Sequence, residues 1–205
     1  MPGWQLGTKG AEVEIRVFYD MLCPDSRDAH YVWKDELFPK QTSVVPGKTY
    51  EQIVDMHVTP FVLPYHLHSF QMTQVLPYLT DLCTADSTQC YQDAYSELCY
   101  KNLDWIVKAN DVSEDSFEQE WSKTVSDAFK LPQADILALW GKNDTHNSNW
   151  RVRENWKYGA SVGLSGTPQA FVNGVKLDTY PGSAQDWEDV FAEIFQAGNQ
   201  KFLTS

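Results

Sequence analysis

The sequence predicts an α/β fold in which one mixed β-sheet is interrupted by a long helical insertion. Three observations support this: strand patterns occur before residue 64 and after residue 163, a mostly helical stretch separates them, and an amphipathic helix follows the last strand pattern. Strand segments that flank an insertion can pair into one sheet with helices on both faces. We therefore expect a sheet domain formed by residues 1–64 and 163–205, with residues 65–162 as an inserted helical subdomain.

The first part of the chain contains two strand patterns with a helix between them. Residues 12–19 alternate polar and apolar side chains and then become apolar, which predicts a strand with one well-buried face. Residues 20–24 break this pattern, and the helix that follows ends at Pro39. Residues 52–63 form a second strand-like run, whose far end is irregular because it contains prolines.

Residues 66–162 have the patterns of helices joined by short loops. Pro77 is expected to kink or split one helix, because proline cannot donate the backbone hydrogen bond of a helix interior. Residues 87–108 predict another helix, and Ser113 predicts a capped helix start with acidic residues in the first turn. Residues 149–163 predict a further helix.

Strand patterns return after the helical block. Residues 169–172 and 175–177 flank Asn173-Gly174, which is the strongest two-residue hairpin signal in the sequence. The helix that follows places Trp187 and Phe191 on one face. We expect that face to be buried in the core.

Composition and charge limit the classes of function. The 205-residue chain has a formal net charge of −12 and a sequence pI of about 4.7, which opposes the basic surface of nucleic-acid binders and docking on anionic lipid. No apolar run approaches the roughly 18 residues of a membrane span, and the first residues lack the pattern of a signal peptide. We expect neither nucleic acid nor membrane as a partner. The compartment stays open between cytosol and a secretory route with its signal removed, the latter slightly favoured.

Four cysteines raise the question of oxidation. Cys23 stands apart, whereas Cys83, Cys90 and Cys99 are clustered. The clustered residues are either small buried hydrophobes or include a disulfide, which would require an oxidising compartment. Both Cys83–Cys90 and Cys90–Cys99 pairings are open.

Cys23 has the features of a reactive thiol. It follows a predicted strand, and Pro24 stands where a helix would begin, a position that suits proline because its missing N–H would have no helical partner there. Unpaired N–H groups and the positive end of the helix dipole then face the sulfur and favour the thiolate, which is the nucleophile. Asp25 opposes this field and Arg27 partly offsets Asp25. Ser26 can donate a hydrogen bond to the thiolate but cannot form a disulfide.

Thr167-Pro168 lies directly before the first hairpin strand. The pair suits a cis peptide bond in a tight turn, although a trans proline that opens an edge strand would explain it as well.

Together, Cys23-Pro24-Asp25-Ser26, the helical insertion and Gly166-Thr167-Pro168 before a hairpin resemble the DsbA-like branch of the thioredoxin superfamily. The resemblance covers nearly the whole chain in element order, and its specific motifs are short. It implies a thioredoxin-like fold in which Cys23 attacks disulfides. It also implies a cis Thr167-Pro168 that lies beside the sulfur and receives a partner peptide as an added strand. Pro24, Thr167 and Pro168 are the candidate substrate-binding residues. The implied partner is a thiol- or disulfide-containing protein or peptide, with no cofactor.

Ser26 departs from the family pattern, because the oxidants and reductases of the family carry a second cysteine there. A mixed disulfide at Cys23 therefore has no neighbouring thiol to resolve it. Three explanations are open: reaction with an external thiol such as glutathione, isomerisation or transient capture of substrates, or replacement of a native second cysteine by serine.

We favour thiol–disulfide exchange through Cys23, and two other functions remain open. Tyr19-Asp20 before a serine-bearing motif faintly resembles the kappa-class glutathione transferases and their isomerase relatives, which would make glutathione a co-substrate. The other is a binding or chaperone-like module that keeps the fold without turnover. A buried and inert Cys23 would favour that module.

Other candidate side chains are better explained by packing than by chemistry. His66 and His68 could reach one metal ion but lack an obvious third ligand, so we expect one to pack on the sheet and the other to face solvent. His30 lies about two helical turns after Cys23, too far to activate its sulfur, and we expect it at the surface or at a domain interface. Three tryptophans could line a groove, but core or surface packing is the simpler explanation: Trp140, Trp150 and Trp156.

Overall fold

One mixed five-stranded sheet forms in the part of the chain that the structure describes. The structure is a computed structural model that describes residues 3–203, without the side chains of residue 110 and residues 197–203. The strand order is β1-β3-β2-β4-β5. The strands are β1 (Trp4–Gly7), β2 (Val13–Tyr19), β3 (Val54–Pro60), β4 (Gln169–Val172) and β5 (Val175–Lys176). The predicted α/β class with a mixed sheet is confirmed.

Helices fill the chain between the strands. Before β3 lie α1 (Pro24–Tyr31), its π-helical continuation (Val32–Leu37) and α2 (Tyr50–Ile53). Between β3 and β4 lie α3 (Ser69–Thr73), α4 (Val75–Ala85), α5 (Gln92–Lys101), α6 (Leu103–Lys108), α7 (Glu114–Phe129), α8 (Gln133–Ala138) and α9 (Ser148–Ser161), and α10 (Ala184–Leu203) follows β5. Of the helices in the described residues, none has the length and apolar character needed to span a membrane.

The chain separates into two compact units. The helical unit contains Phe18–Arg27 and Val58–Pro168. The sheet unit contains Gln5–Val17, Asp28–His57 and the chain from Gln169 onward. The division into a sheet domain and an insertion at residues 65–162 remains a prediction.

β2 has the burial that its sequence pattern predicts. Val13, Ile15 and Val17 are at most 1% exposed and alternate with more exposed residues, after which Phe18 and Tyr19 are both buried. The strand occupies the middle position of the sheet. A central strand needs apolar side chains on both faces, which explains why the alternation stops at its end.

One strand prediction was inaccurate at its boundaries, and one strand was missed. The run predicted over residues 52–63 forms a strand only over Val54–Pro60, because α2 precedes it. Thr49 starts α2 with a capping box, in which its backbone N–H donates to Gln52 Oε1 at 2.9 Å. β1 was not predicted, since a run of four residues is too short for a period to be detected.

The hairpin prediction is confirmed. β4 and β5 pair antiparallel, with Phe171 opposite Lys176 and Val172 opposite Val175. Asn173 and Gly174 both have positive φ, 47° and 80°, as a two-residue turn of the type that matches strand twist requires.

The helical unit follows the sequence predictions in part. A new helix begins at Val75, so that Pro77 lies in the first turn of α4, where proline is tolerated. Ser113 caps α7 by accepting from Ser116 N–H at 3.3 Å, as predicted. The prediction of a single helix over residues 87–108 is wrong. Its N-terminal part is a short 3₁₀ turn (Ser87–Gln89), and α5 and α6 are separated at Asn102.

The clustered cysteines divide into one disulfide and one free thiol. Cys83 and Cys90 form a disulfide with Cα atoms 4.4 Å apart, within the usual range. Cys99 is free and fully buried. Burial raises the pKa of the Cys99 thiol well above its usual range, so this sulfur stays protonated and unreactive.

Asp81 is expected to make the stability of the helical unit depend on pH. It accepts from Arg151 at 2.8 Å and contacts His146 Nδ1 at 2.7 Å. Burial alone raises the pKa of this carboxyl, but hydrogen bonds from His146 and Arg151 outweigh it and hold the pKa below the usual value. A depressed pKa adds stability above the unfolded value of about 3.9, which is lost as the pH falls through the folded value.

Asp81→Asn is therefore expected to lower the free energy of unfolding at pH 7 by about 0.5–1 kcal/mol, a range that allows for solvent screening of a partly exposed pair. The difference from wild type should shrink towards zero at pH 3. Urea unfolding at both pH values measures it, and an equal difference at pH 7 and pH 3 would contradict the assignment.

Candidate active site

Cys23 occupies the start of α1. The helix begins at Pro24, as the sequence predicts, and Arg27 N–H donates to Cys23 O at 3.1 Å. Cys23 is 5% exposed, whereas Pro24 is exposed. The sulfur thus lies just below the surface at a helix N-terminus, where unpaired backbone N–H groups concentrate.

The Cys23 thiol contacts the backbone of Thr167. Its Sγ lies 3.4 Å from Thr167 O, with the thiol as donor. The Thr167–Pro168 peptide bond is cis. Two motifs that are 144 residues apart in sequence therefore form one local arrangement.

Ser26 is fully buried beneath the same turn. Its Oγ accepts a hydrogen bond from the backbone N–H of Asp20 at 3.3 Å. The hydroxyl therefore links the end of β2 to α1. Its role as a hydrogen-bond donor to a Cys23 thiolate stays a prediction.

Asp20 holds the turn that carries Cys23. Its side chain is 0% exposed. Oδ1 accepts from Leu22 N–H at 2.6 Å and contacts His66 Nδ1 at 3.0 Å, and Oδ2 accepts from Leu63 N–H at 2.6 Å and from Ser69 Oγ at 2.8 Å. A buried carboxylate is stable only when it is paired or hydrogen-bonded in this way. Asp20 thereby fixes two segments, the turn before Cys23 and residues 63–69.

Sequence reasoning missed this role of Asp20. The available signal was an acidic residue directly after an apolar strand, where the turn to the helix begins. Burial of such a carboxylate requires several donors, and three of the four partners of the Asp20 side chain lie more than forty positions away. Their identity could not be read from the local sequence.

The two histidines have separate environments. His66 contacts Asp20, and its side chain is 18% exposed. His68 is 2% exposed, stacks on Phe117 with ring centroids 3.8 Å apart, and contacts Ala109 O through Nε2 at 3.2 Å. The expectation that one histidine packs on the sheet is wrong, because the stacking partner of His68 is Phe117 of α7.

Of the two positions expected for His30, the surface is excluded, and a domain interface remains a prediction. His30 is 1% exposed, and its ring meets Tyr31 edge to face at 5.3 Å.

Trp140 donates through Nε1 to Gln71 O at 2.9 Å. Trp150 and Trp156 are 56% and 44% exposed, so they belong to the surface and not to the core.

The sequence matches no protein-family model and no curated protein. Solved structures do match it. Alpha-DsbA1 from Wolbachia pipientis is similar with a TM-score of 0.64 at 12% identity, over 98% of this chain and 94% of that one. DsbA from Chlamydia trachomatis is similar with a TM-score of 0.60 at 15% identity, over 94% and 91%. The fold is DsbA-like.

A third structure agrees with this assignment. A protein-disulfide isomerase from Novosphingobium aromaticivorans is similar with a TM-score of 0.56 at 12% identity, over 95% of this chain and 97% of that one. At such identities the likeness establishes the fold. The DsbA-like thioredoxin fold implied by the sequence motifs is therefore confirmed.

Proposed function

We propose that this protein carries out thiol–disulfide exchange through Cys23 as a single nucleophilic cysteine. The observation that carries the proposal is the contact between Cys23 Sγ and Thr167 O, beside the cis Pro168 and at the start of α1. When the thiol loses its proton, Thr167 O loses its donor. That carbonyl can then accept an N–H from an extended peptide, which is how added strands bind.

The chemistry needs one sulfur on the protein. The Cys23 thiolate attacks one sulfur of a substrate disulfide, a new S–S bond forms, and the other substrate sulfur leaves as a thiolate. Ser26 cannot resolve the product, so an external thiol must do so. The names of the similar structures, DsbA and protein-disulfide isomerase, support this class of reaction.

The partners follow from the same site. We propose a thiol- or disulfide-containing protein or peptide that lies against Pro24, Thr167 and Pro168, with glutathione as a co-substrate and no cofactor. The Cys83–Cys90 disulfide supports an oxidising compartment such as a secretory lumen or the cell exterior.

The test is replacement of Cys23 by alanine. Wild-type protein incubated with glutathione disulfide should gain a mixed disulfide at Cys23, detected by intact mass and peptide mapping, and Cys23→Ala should gain none. Cys99→Ala is the matched control, because the buried Cys99 thiol should contribute nothing. An unchanged adduct in Cys23→Ala would remove Cys23 from this role.

A binding module without turnover is the second candidate. The observation that favours it is the burial of Cys23, which is 5% exposed with its thiol donating to a carbonyl. Alkylation of the native protein by iodoacetamide as a function of pH distinguishes the two, because it reports the thiolate directly. A Cys23 that resists alkylation across pH 6–9, together with retained peptide binding, would favour the module.

A further inference from the structure

We infer that His66 is the general base for the external thiol that resolves the Cys23 mixed disulfide, and that Asp20 is the positioning residue that holds His66. This inference rests on the proposed function of Cys23. Because Ser26 provides no second thiol, an external thiol must resolve the mixed disulfide, and His66 accepts the proton of that thiol.

One carboxylate oxygen joins the imidazole to the turn that carries the nucleophile. Asp20 Oδ1 accepts from Leu22 N–H at 2.6 Å and contacts His66 Nδ1 at 3.0 Å. Leu22 directly precedes Cys23, and Cys23 N–H donates to Asp20 O at 3.2 Å. The imidazole is thus two hydrogen bonds away from the backbone beside the reactive sulfur.

The contact with Asp20 sets the tautomer of His66. A carboxylate oxygen accepts, so Nδ1 carries the proton and the neutral ring keeps its lone pair on Nε2. Oδ2 of Asp20 is held by Leu63 N–H and Ser69 Oγ, which prevents the carboxylate from turning away. The ring position is therefore fixed from the side of Nδ1.

Nε2 of His66 is available to a small molecule. The side chain is 18% exposed, and the hydrogen bond of this ring to a described residue is made by Nδ1. His68 differs, because its ring is buried and its Nε2 contacts Ala109 O. Of the two neighbouring histidines, His66 is the one that a thiol in solution can reach.

The step balances as follows. The external thiol gives its proton to His66 Nε2, and its sulfur attacks the substrate sulfur of the mixed disulfide. A bond forms between the external and substrate sulfurs, the bond to Cys23 Sγ breaks, and its electron pair returns to Cys23 as a thiolate. The imidazolium then releases its proton to water. A base helps because a free thiol is only a few per cent thiolate at pH 7.

Among the described residues, the ionisable groups in contact with His66 are Asp20 and Tyr65. Asp20 lies at 3.0 Å, and the ring of Tyr65 meets the imidazole edge-on with centroids 4.9 Å apart. Asp20 also interacts electrostatically with Cys99, whose buried thiol stays protonated. The pH dependence of the step is therefore expected to follow the ionisation of the external thiol.

The test compares the resolution of one mixed disulfide in wild type and His66→Gln. The Cys23–peptide disulfide is formed first and then mixed with free cysteine, and quenched samples are measured by mass spectrometry from pH 6.5 to 9.5. His66→Gln should be about tenfold slower at pH 7, within the roughly thirtyfold limit that the thiolate fraction allows. The loss should vanish as the thiol ionises at high pH.

A purely structural role would give a different pattern. It would slow the reaction by the same factor at every pH, and that result, or no loss at pH 7, would overturn the inference. A more acidic thiol, trifluoroethanethiol, should also remove the difference at pH 7, because it needs no base.

His146→Gln is the matched control. His146 Nδ1 contacts Asp81 Oδ2 at 2.7 Å, so it is a partly buried histidine paired with an aspartate like His66. This variant should keep the wild-type rate and pH profile. If wild type forms no mixed disulfide at Cys23, the proposed function fails. If it forms one that His66→Gln resolves normally, the inference about His66 alone fails.

Discussion

Replacing Trp33 by alanine is expected to lower the free energy of unfolding by about 3–5 kcal/mol, the usual cost of truncating a buried large aromatic residue. Trp33 is 1% exposed and lies in the core of the sheet unit. Its ring centroid is 4.6 Å from that of Trp187 and 5.2 Å from that of Phe38. Its Nε1 donates to Tyr180 Oη at 3.3 Å, so the substitution also removes a hydrogen bond.

Urea unfolding followed by circular dichroism measures this effect. Trp150→Ala is the matched control, because Trp150 is 56% exposed and its described ring contact is with Lys157. We expect the control to change stability by about 1 kcal/mol or less, as surface substitutions do. A loss below about 1 kcal/mol for Trp33→Ala would mean that this aromatic cluster does not stabilise the fold as described.

Asp20→Ala is expected to cost about 3–5 kcal/mol in the free energy of unfolding. The substitution leaves the N–H groups of Leu22 and Leu63 and the hydroxyl of Ser69 without their acceptor in a buried site, and breaking a buried charged network has this magnitude. The turn before Cys23 should loosen as well, so alkylation of Cys23 by iodoacetamide should change in rate while Cys99 stays unreactive.

Asp20→Asn is the graded control for this prediction. Asparagine keeps the volume and one oxygen acceptor but places an amide N–H₂ against at least one backbone donor. We expect a loss of roughly half that of Asp20→Ala. Equal stability of wild type and Asp20→Ala in urea unfolding would show that the four contacts of Asp20 do not hold these segments together.

Local sequence signals predicted those elements whose structure depends on residues that are neighbours in the chain. Residues 12–19 showed their burial directly in their alternation, Asn173-Gly174 specified a two-residue turn by its conformational freedom, and Pro24 marked the first residue of a helix. Each signal depends on neighbours in sequence, so no tertiary information was required. The prediction of one helix over residues 87–108 failed because side chains interrupt it at two places. Asp86 accepts from Thr88 N–H and holds a short turn, and Asn102 donates to Leu98 O where α5 ends.

The sequence also identified Cys23 and Thr167-Pro168 as separate candidates, and it was the family resemblance, not the local patterns, that implied they are neighbours. Each stood out by local chemistry, a cysteine before a helix-starting proline and a proline before a strand. The structure places the Cys23 sulfur 3.4 Å from Thr167 O. The pattern of the sequence does not predict that distance, because it depends on how the intervening chain folds.

By itself, the sequence determined the α/β class, the hairpin, the start of α1 and the reactive-cysteine candidate. The tertiary structure alone decided that Cys83 pairs with Cys90, that His66 and His68 have different partners, and that Asp20 ties residues 63–69 to the turn before Cys23. The physical reason is the range of the interactions. Propensity and capping act over a few residues, whereas a buried carboxylate or a disulfide needs partners that only the folded chain brings within bonding distance.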